Sequence, residues 1–143
     1  MQAEFFKLRI PMQIRFTDLD ILGHVTNTVY HVYYNTAVFE YYRRVFIQNR
    51  MPGDLAFVLA SAKVDFLKSI LFEYQIAVEM RIARLGNKSF AFHGRIVDAQ
   101  SGEVYSRCVL TQVCFSRSRD ASIPIPDDWR ARVLAFETTP PEQ

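Results

Sequence analysis

The run TVYHVYYNTAVFEYYRRVFIQN, Thr28–Asn49, contains no glycine or proline and is far too long for an ordinary strand. Val29, Tyr30, Val32, Tyr33, Tyr34, Ala37, Val38, Phe39, Tyr41, Tyr42, Val45 and Phe46 place apolar or aromatic groups on nearly every side of a helix. A helix that is apolar all round is a buried one. The spacing predicts a helix capped at Asn27 or Thr28 and broken by Pro52 and Gly53. Everything else in the chain must therefore supply the walls that bury it.

Those walls read as strands. In KLRIPMQIRF, Lys7–Phe16, the residues Leu8, Ile10, Met12, Ile14 and Phe16 share one face, and Pro11 marks an edge or an irregularity. LAFVLASAKVDFL, Leu55–Leu67, is a second strand. FEYQIAVEMRIARLG, Phe72–Gly86, sets Ile76, Val78, Met80 and Ile82 against Glu79 and Arg81. Two more follow, joined at Asp98–Glu103 by a glycine-containing hairpin turn. IPIPDDWRARVLAF is a proline-led short helix with Trp129 and Val133 as its i, i+4 pair, and the tail 136–143 is expected to be loose. One sheet buries such a helix only by curling round it, so the expected class is α+β, a single domain over 1–143 with its core at about 8–135.

Composition narrows the function classes. Half of the 143 residues are hydrophobic and 14% are aromatic, which excludes disorder over most of the length. The formal charge is +2 and the basic residues are scattered, so a nucleic-acid footprint is not expected. No apolar run approaches the ~20 residues that span a bilayer, and MQAEFFKLRIPM lacks the h-region of a signal peptide. No membrane partner is expected, and a cytoplasmic protein is. Cys108 and Cys114, roughly 20 Å apart on one strand face, read as small apolar residues rather than a disulfide or metal pair.

Between the first strand and the helix lies FTDLDILGHVTNTVY, with Asp18, Asp20, His24 and Asn27. As residues alone they admit two readings. Asp and Asn before a helix are ordinary turn and capping residues. Equally, an ionised carboxylate beside the free N–H groups of a helix N-terminus has what thioester hydrolysis needs, a base or nucleophile and donors for a developing oxyanion. Asp18, on the strand face of Ile14 and Phe16, is expected to brace the turn. A calcium loop is excluded, because Leu22 and Val29 stand where oxygen ligands are required, and no metal is expected.

IRFTDLDILGHVTNTVYHVYY resembles the signature D-x-D-x-x-G-H-V-x-N-x-x-Y of the 4-hydroxybenzoyl-CoA thioesterase family of hotdog-fold proteins. RLGNKSF and the SGEVYSR…PIPDDWRA ending are similar to that family too, and the likeness covers about Leu8 to Ala135. The resemblance implies a hotdog fold, an antiparallel β-sheet wrapped around a long central α-helix, in a homodimer or tetramer that hydrolyses acyl-CoA. It implies Asp20 as nucleophile or general base, with His24 and Asn27 beside it. Tyr30 would line the acyl pocket, and Lys88 and Ser89, with Lys63 and Lys68, would meet the coenzyme A phosphates. Coenzyme A would enter as part of the substrate, with no cofactor. Thr26 stands where many members carry an asparagine, and Asn35 where the family position is usually acidic. A non-catalytic acyl-CoA or acyl-carrier binding module, and a dehydratase pairing His24 with Asp20, remain as alternatives. In one subtype a mid-helix glutamate acts instead, and Glu40 is the one here.

Overall fold

A computed structural model describes residues 3–143; Met1 and Gln2, part of the expected domain range and of the N-terminal segment read above, lie outside the described residues. The strands are β1 (Leu8–Met12), β2 (Leu55–Phe66), β3 (Ile76–Leu85), β4 (Ser89–Asp98), β5 (Val104–Ser116) and β6 (Ala121–Ser122). They form one antiparallel sheet in the order β1-β3-β4-β5-β2, with β6 against β5. The two helices are α1 (Asn27–Tyr41) and α2 (Asp127–Phe136). Because β1 and β2 sit at opposite edges, α1, which joins them, has to cross the whole sheet face. This is the expected hotdog arrangement. Among the described residues no helix is long and apolar enough to cross a membrane.

β1 is an edge strand, as Pro11 suggested, but it ends at Met12 rather than Phe16. Beyond it Ile14 still packs inward, whereas Phe16 opens a short 3-10 turn and is exposed. The hairpin at Asp98–Glu103 is present: Asp98 Oδ1 accepts from the Gln100 and Ser101 N–H groups, and Gly102 takes φ +77.

α1 departs from expectation in an instructive way. Its cap is Thr26, one residue early, and the Thr26 side chain makes no capping bond. After Tyr41 the helix widens into one π-helical turn, Tyr42–Phe46, and residues Gln48 and Asn49 reverse the chain with positive φ. The buried residues are Tyr30, Tyr33, Tyr34, Ala37, Val38 and Tyr41, a stripe at i, i+3, i+4 spacing. The other side stays open in the single chain: Val32 is 48% and Phe39 60% exposed. One sheet covers one helix face, and among the described residues nothing buries Val32 and Phe39 opposite. At the C-terminal end of the helix an aromatic cluster closes the core, with Phe46 stacked on Trp129 of α2 at 4.6 Å, Phe57 and Phe90 edge-on to Phe46, and Phe92 edge-on to Phe90.

β3 is buried on both faces. Its even residues meet α1; its odd ones, Glu79 and Arg81, lie beneath the N-terminal segment instead of solvent. Glu4 pairs with Arg81 and His93, and Arg9 and Arg95 both hold Glu79. The segment after α2, expected to be loose, is also tied to β3. Glu142 bridges Arg84 in parallel, and Arg81 reaches the Thr139 carbonyl. Cys108 and Cys114 are buried, free and on the inner face, where burial pushes both thiols up to about 12.

Glu137, just past α2, turns its carboxylate into the core, where Oε2 accepts from the Tyr41 hydroxyl (2.6 Å) and the Ile82 N–H (2.9 Å). Burial pushes its carboxyl above the usual range, and the Tyr41 and Ile82 donors and the Arg81 charge offset only part of that. A carboxylate pKa raised by folding contributes stability below its unfolded value of 4.5 that is lost as pH rises through the folded value. Glu137→Gln keeps the acceptor without the charge. It is expected to gain stability relative to the wild type as pH climbs from 4 to 8, read as the difference in Tm across that range.

Candidate active site

The loop before α1 is built on Asp18, which is 1% exposed. Its Oδ2 accepts from the Arg15 N–H (2.9 Å) and the Tyr33 hydroxyl (2.6 Å), and its Oδ1 from the Arg15 guanidinium (3.0 Å). Burial by itself pushes the Asp18 carboxyl up; the Tyr33 hydroxyl, the Arg15 N–H and the Arg15 charge outweigh it and hold the carboxyl below its usual value. Tyr33, buried against that carboxylate, is pushed up. Asp18 is thus the brace it was expected to be, and its carbonyl accepts the Thr26 N–H at 2.9 Å, so both ends of the loop meet.

Inside that closure the chain makes a miniature hairpin. Leu19 bridges Val25, the Asp20 N–H donates to the His24 carbonyl (2.8 Å), and Gly23 turns with φ +78, a value few other residues adopt without strain. Asp20 Oδ1 accepts from the Leu22 and His24 N–H groups at 2.9 and 3.1 Å. One carboxylate oxygen thus fixes the turn, the other has no hydrogen-bond partner among the described residues, and Asp20 lines the cleft beside it.

That cleft, about 500 Å³, has Asp20, His24, Thr26, Asn27 and Tyr30 on one side and Phe66, Lys68 and Ser69 on the other. Tyr30 is buried with its ring edge-on to Phe66 at 4.9 Å. Thr26 and Asn27 bring the start of α1 to the wall. Of the first N–H groups of α1, that of Val29 donates to the Thr26 carbonyl at 2.9 Å, whereas those of Asn27 and Thr28 have no acceptor within the helix and the Thr26 side chain does not cap them. A carboxylate, an uncapped helix N-terminus and an apolar ring thus face one space.

The structure brings together five of the eight residues given a role at the site from the sequence: Asp20, His24, Asn27, Tyr30 and Lys68. Lys63 lies elsewhere, in a cleft of about 530 Å³ on the outer face of the sheet with Arg95 and Arg107. Lys88 and Ser89 sit where β3 turns into β4, level with Phe57 and Val58 of β2, whereas the cleft opens past Phe66 at the other end of that strand. Eight residues of strand, roughly 26 Å, separate them in one protomer. Lys68 does line the cleft, but its ammonium pairs with Glu103. Sequence reasoning missed Phe66 and Ser69, which reach the site through the bridge His24↔Leu71. Among the described residues no group of three or more His, Cys, Asp or Glu side chains is placed to hold a metal ion.

Comparison with known proteins finds the same fold. A Pseudomonas aeruginosa protein, PA5185, superposes with a TM-score of 0.84 at 25% identity, covering 96% of this chain and 95% of that one. A thioesterase from Thermus thermophilus, solved with coenzyme A and Zn, superposes with a TM-score of 0.80 at 29% identity, covering 94% and 97%. The uncharacterized Bacillus subtilis protein YsmA is 20% identical over 82 residues, 57% of this chain and only 55% of its own length. The sequence profile of the Thioesterase-like superfamily matches residues 14–133, which take in the Asp20 loop, α1 and every long strand. The chain belongs to the Thioesterase-like superfamily.

Proposed function

We propose that this protein hydrolyses acyl-CoA thioesters in the Asp20 cleft. The observation that carries the reading is the meeting of the unengaged Asp20 oxygen with the uncapped start of α1. The thioester carbonyl would point at the helix N–H groups, whose positive dipole end suits the oxyanion. Asp20 would either take a proton from water as that water attacks, or attack directly and be regenerated by water. In both routes the C–S bond breaks, water's oxygen ends in the acid, and the sulfur leaves as the coenzyme A thiol. Tyr30 and Phe66 would receive the acyl chain. Coenzyme A is part of the substrate, and no other cofactor enters the scheme.

A homodimer fits this reading. β2 is an edge strand with Val58 and Leu59 about half exposed, next to the open face of α1 with Val32 and Phe39. An edge and an apolar stripe of this kind call for a partner. Antiparallel pairing of β2 with a second β2 would set the partner's Lys88 end beside this protomer's Asp20 end, about three strand spacings or roughly 14 Å away. That lies within the reach of an extended coenzyme A. Lys88→Ala is then expected to raise KM about fivefold to tenfold, on the order of 1 kcal/mol, with kcat unchanged and a dimer mass by light scattering.

The test of the activity itself is thiol release from short, medium, long and aromatic acyl-CoAs, with 4-hydroxybenzoyl-CoA in the aromatic set. Free acid and thiol in equal amounts support hydrolysis. An enoyl thioester would identify a dehydratase, and binding without turnover a carrier module.

A further inference from the structure

The far wall of the cleft holds a residue that its surroundings pin and leave unpaired. In the segment after β2, the Leu67 and Lys68 N–H groups both donate to the Tyr105 carbonyl, at 2.9 and 3.1 Å. The Tyr30 hydroxyl lies 3.4 Å from the Lys68 carbonyl and against the Ile70 N–H. The Ile70 carbonyl accepts the Val25 N–H at 2.8 Å. The peptides on either side of Ser69 are thus tied to β5, to α1 and to the Asp20 loop. Ser69 itself is exposed in the cleft, and neither its N–H nor its hydroxyl has a partner among the described residues. His24 is bridged antiparallel to Leu71, so the same run carried on two residues sets Ser69 beside Thr26, the residue from which α1 starts.

A donor held still by its neighbours, left unpaired in the free protein and aimed where charge develops, is the arrangement that lowers a barrier without reorganisation. We infer that Ser69 is a second donor to the thioester carbonyl, its hydroxyl hydrogen-bonding the carbonyl oxygen from the wall opposite the first N–H groups of α1. This rests on the thioesterase reading and deepens it. The carbonyl would be gripped from both walls, and Asp20 would stand at the loop end of the space between them.

Two measurements test it. In steady-state hydrolysis of the best acyl-CoA of the panel, Ser69→Ala should lower kcat by about tenfold to a hundredfold with any rise in KM smaller than that loss, and Ser69→Thr should recover most of it. In equilibrium binding, an inert coenzyme A thioether carrying a ketone in place of the thioester carbonyl should bind Ser69→Ala at least about fivefold more weakly, while coenzyme A alone, which has no such carbonyl, binds both proteins equally. Unchanged kcat, a change in KM alone, or equal ketone affinities would overturn the inference. The ketone arm does not depend on turnover. A wild type that hydrolyses nothing therefore defeats the thioesterase reading, and equal ketone binding defeats the Ser69 contact by itself.

Discussion

Asp20→Asn is expected to reduce thiol release at least about a hundredfold, equivalent to ~2.7 kcal/mol of barrier, and to leave Tm where it was. The substitution is chosen for what it retains. Asparagine Oδ1 can still accept the Leu22 and His24 N–H groups that shape the turn, so the miniature hairpin and the start of α1 keep their geometry. What disappears is the second oxygen, replaced by an amide that can neither take a proton from water nor attack a carbonyl. A fall in kcat at constant Tm separates chemistry from folding. Equal rates for the two proteins would make the carboxylate a turn residue and nothing more, and the search would move to His24 and Glu40. Glu40 is the poorer candidate on geometry. Both Arg43 and Arg44 engage its carboxylate, with the Arg43 hydrogen bond foremost in holding it below its usual range, and it does not line the Asp20 cleft.

Asp18→Ala should lose stability instead, about 3 kcal/mol and roughly 10 °C in Tm. The alanine strands the Tyr33 hydroxyl, buried on α1, and removes the acceptor of the Arg15 N–H. The exposed Arg15 guanidinium contributes little to the total, because solvent screens it. The pH dependence carries a sign. A carboxylate held below its unfolded value contributes stability that is present above that value, 3.8, and lost as pH falls through the folded one. The gap in Tm between wild type and variant should therefore be wide at pH 7 and close below about pH 4. A gap independent of pH would mean that the turn is held by shape and not by the ionised form.

The two aspartates show how far the sequence could be read. Both lie in one local motif: Asp18 as the brace could be argued from neighbours on the chain, whereas Asp20 as the reactive carboxylate came from the family resemblance. The four long strands from Leu55 onward, the Asp98–Glu103 turn and the Trp129–Val133 pair were legible because each is a local pattern, whereas the two-residue β6 was not. What escaped depends on contacts made across the fold. Nothing local ends β1 at Met12, since Ile14 continues the alternation and still packs inward. Nothing local distinguishes Val32 from Tyr33, both apolar, although one is open and the other buried. Ser69 was not singled out because its place is set by Tyr30, Val25 and Tyr105, none of them near it in sequence. Lys63 and Lys88 have the right chemistry for phosphates, but an alternating strand does not say which end, or which face, is near the cleft.

The order β1-β3-β4-β5-β2 has a consequence for how the protein comes to be folded. β3, β4 and β5 follow one another through short connections, so their pairing closes small loops and costs little chain entropy. β1 and β2 find their partners far along the chain, Leu8 at Met80 and Phe57 at Cys114. One wall of the Asp20 cleft comes from the chain between those two edge strands, the other from the chain that leaves β2. A partly folded chain that has made only the three central strands has the β3–β4 and β4–β5 ladders but no cleft, and the cleft appears with the most distant contacts.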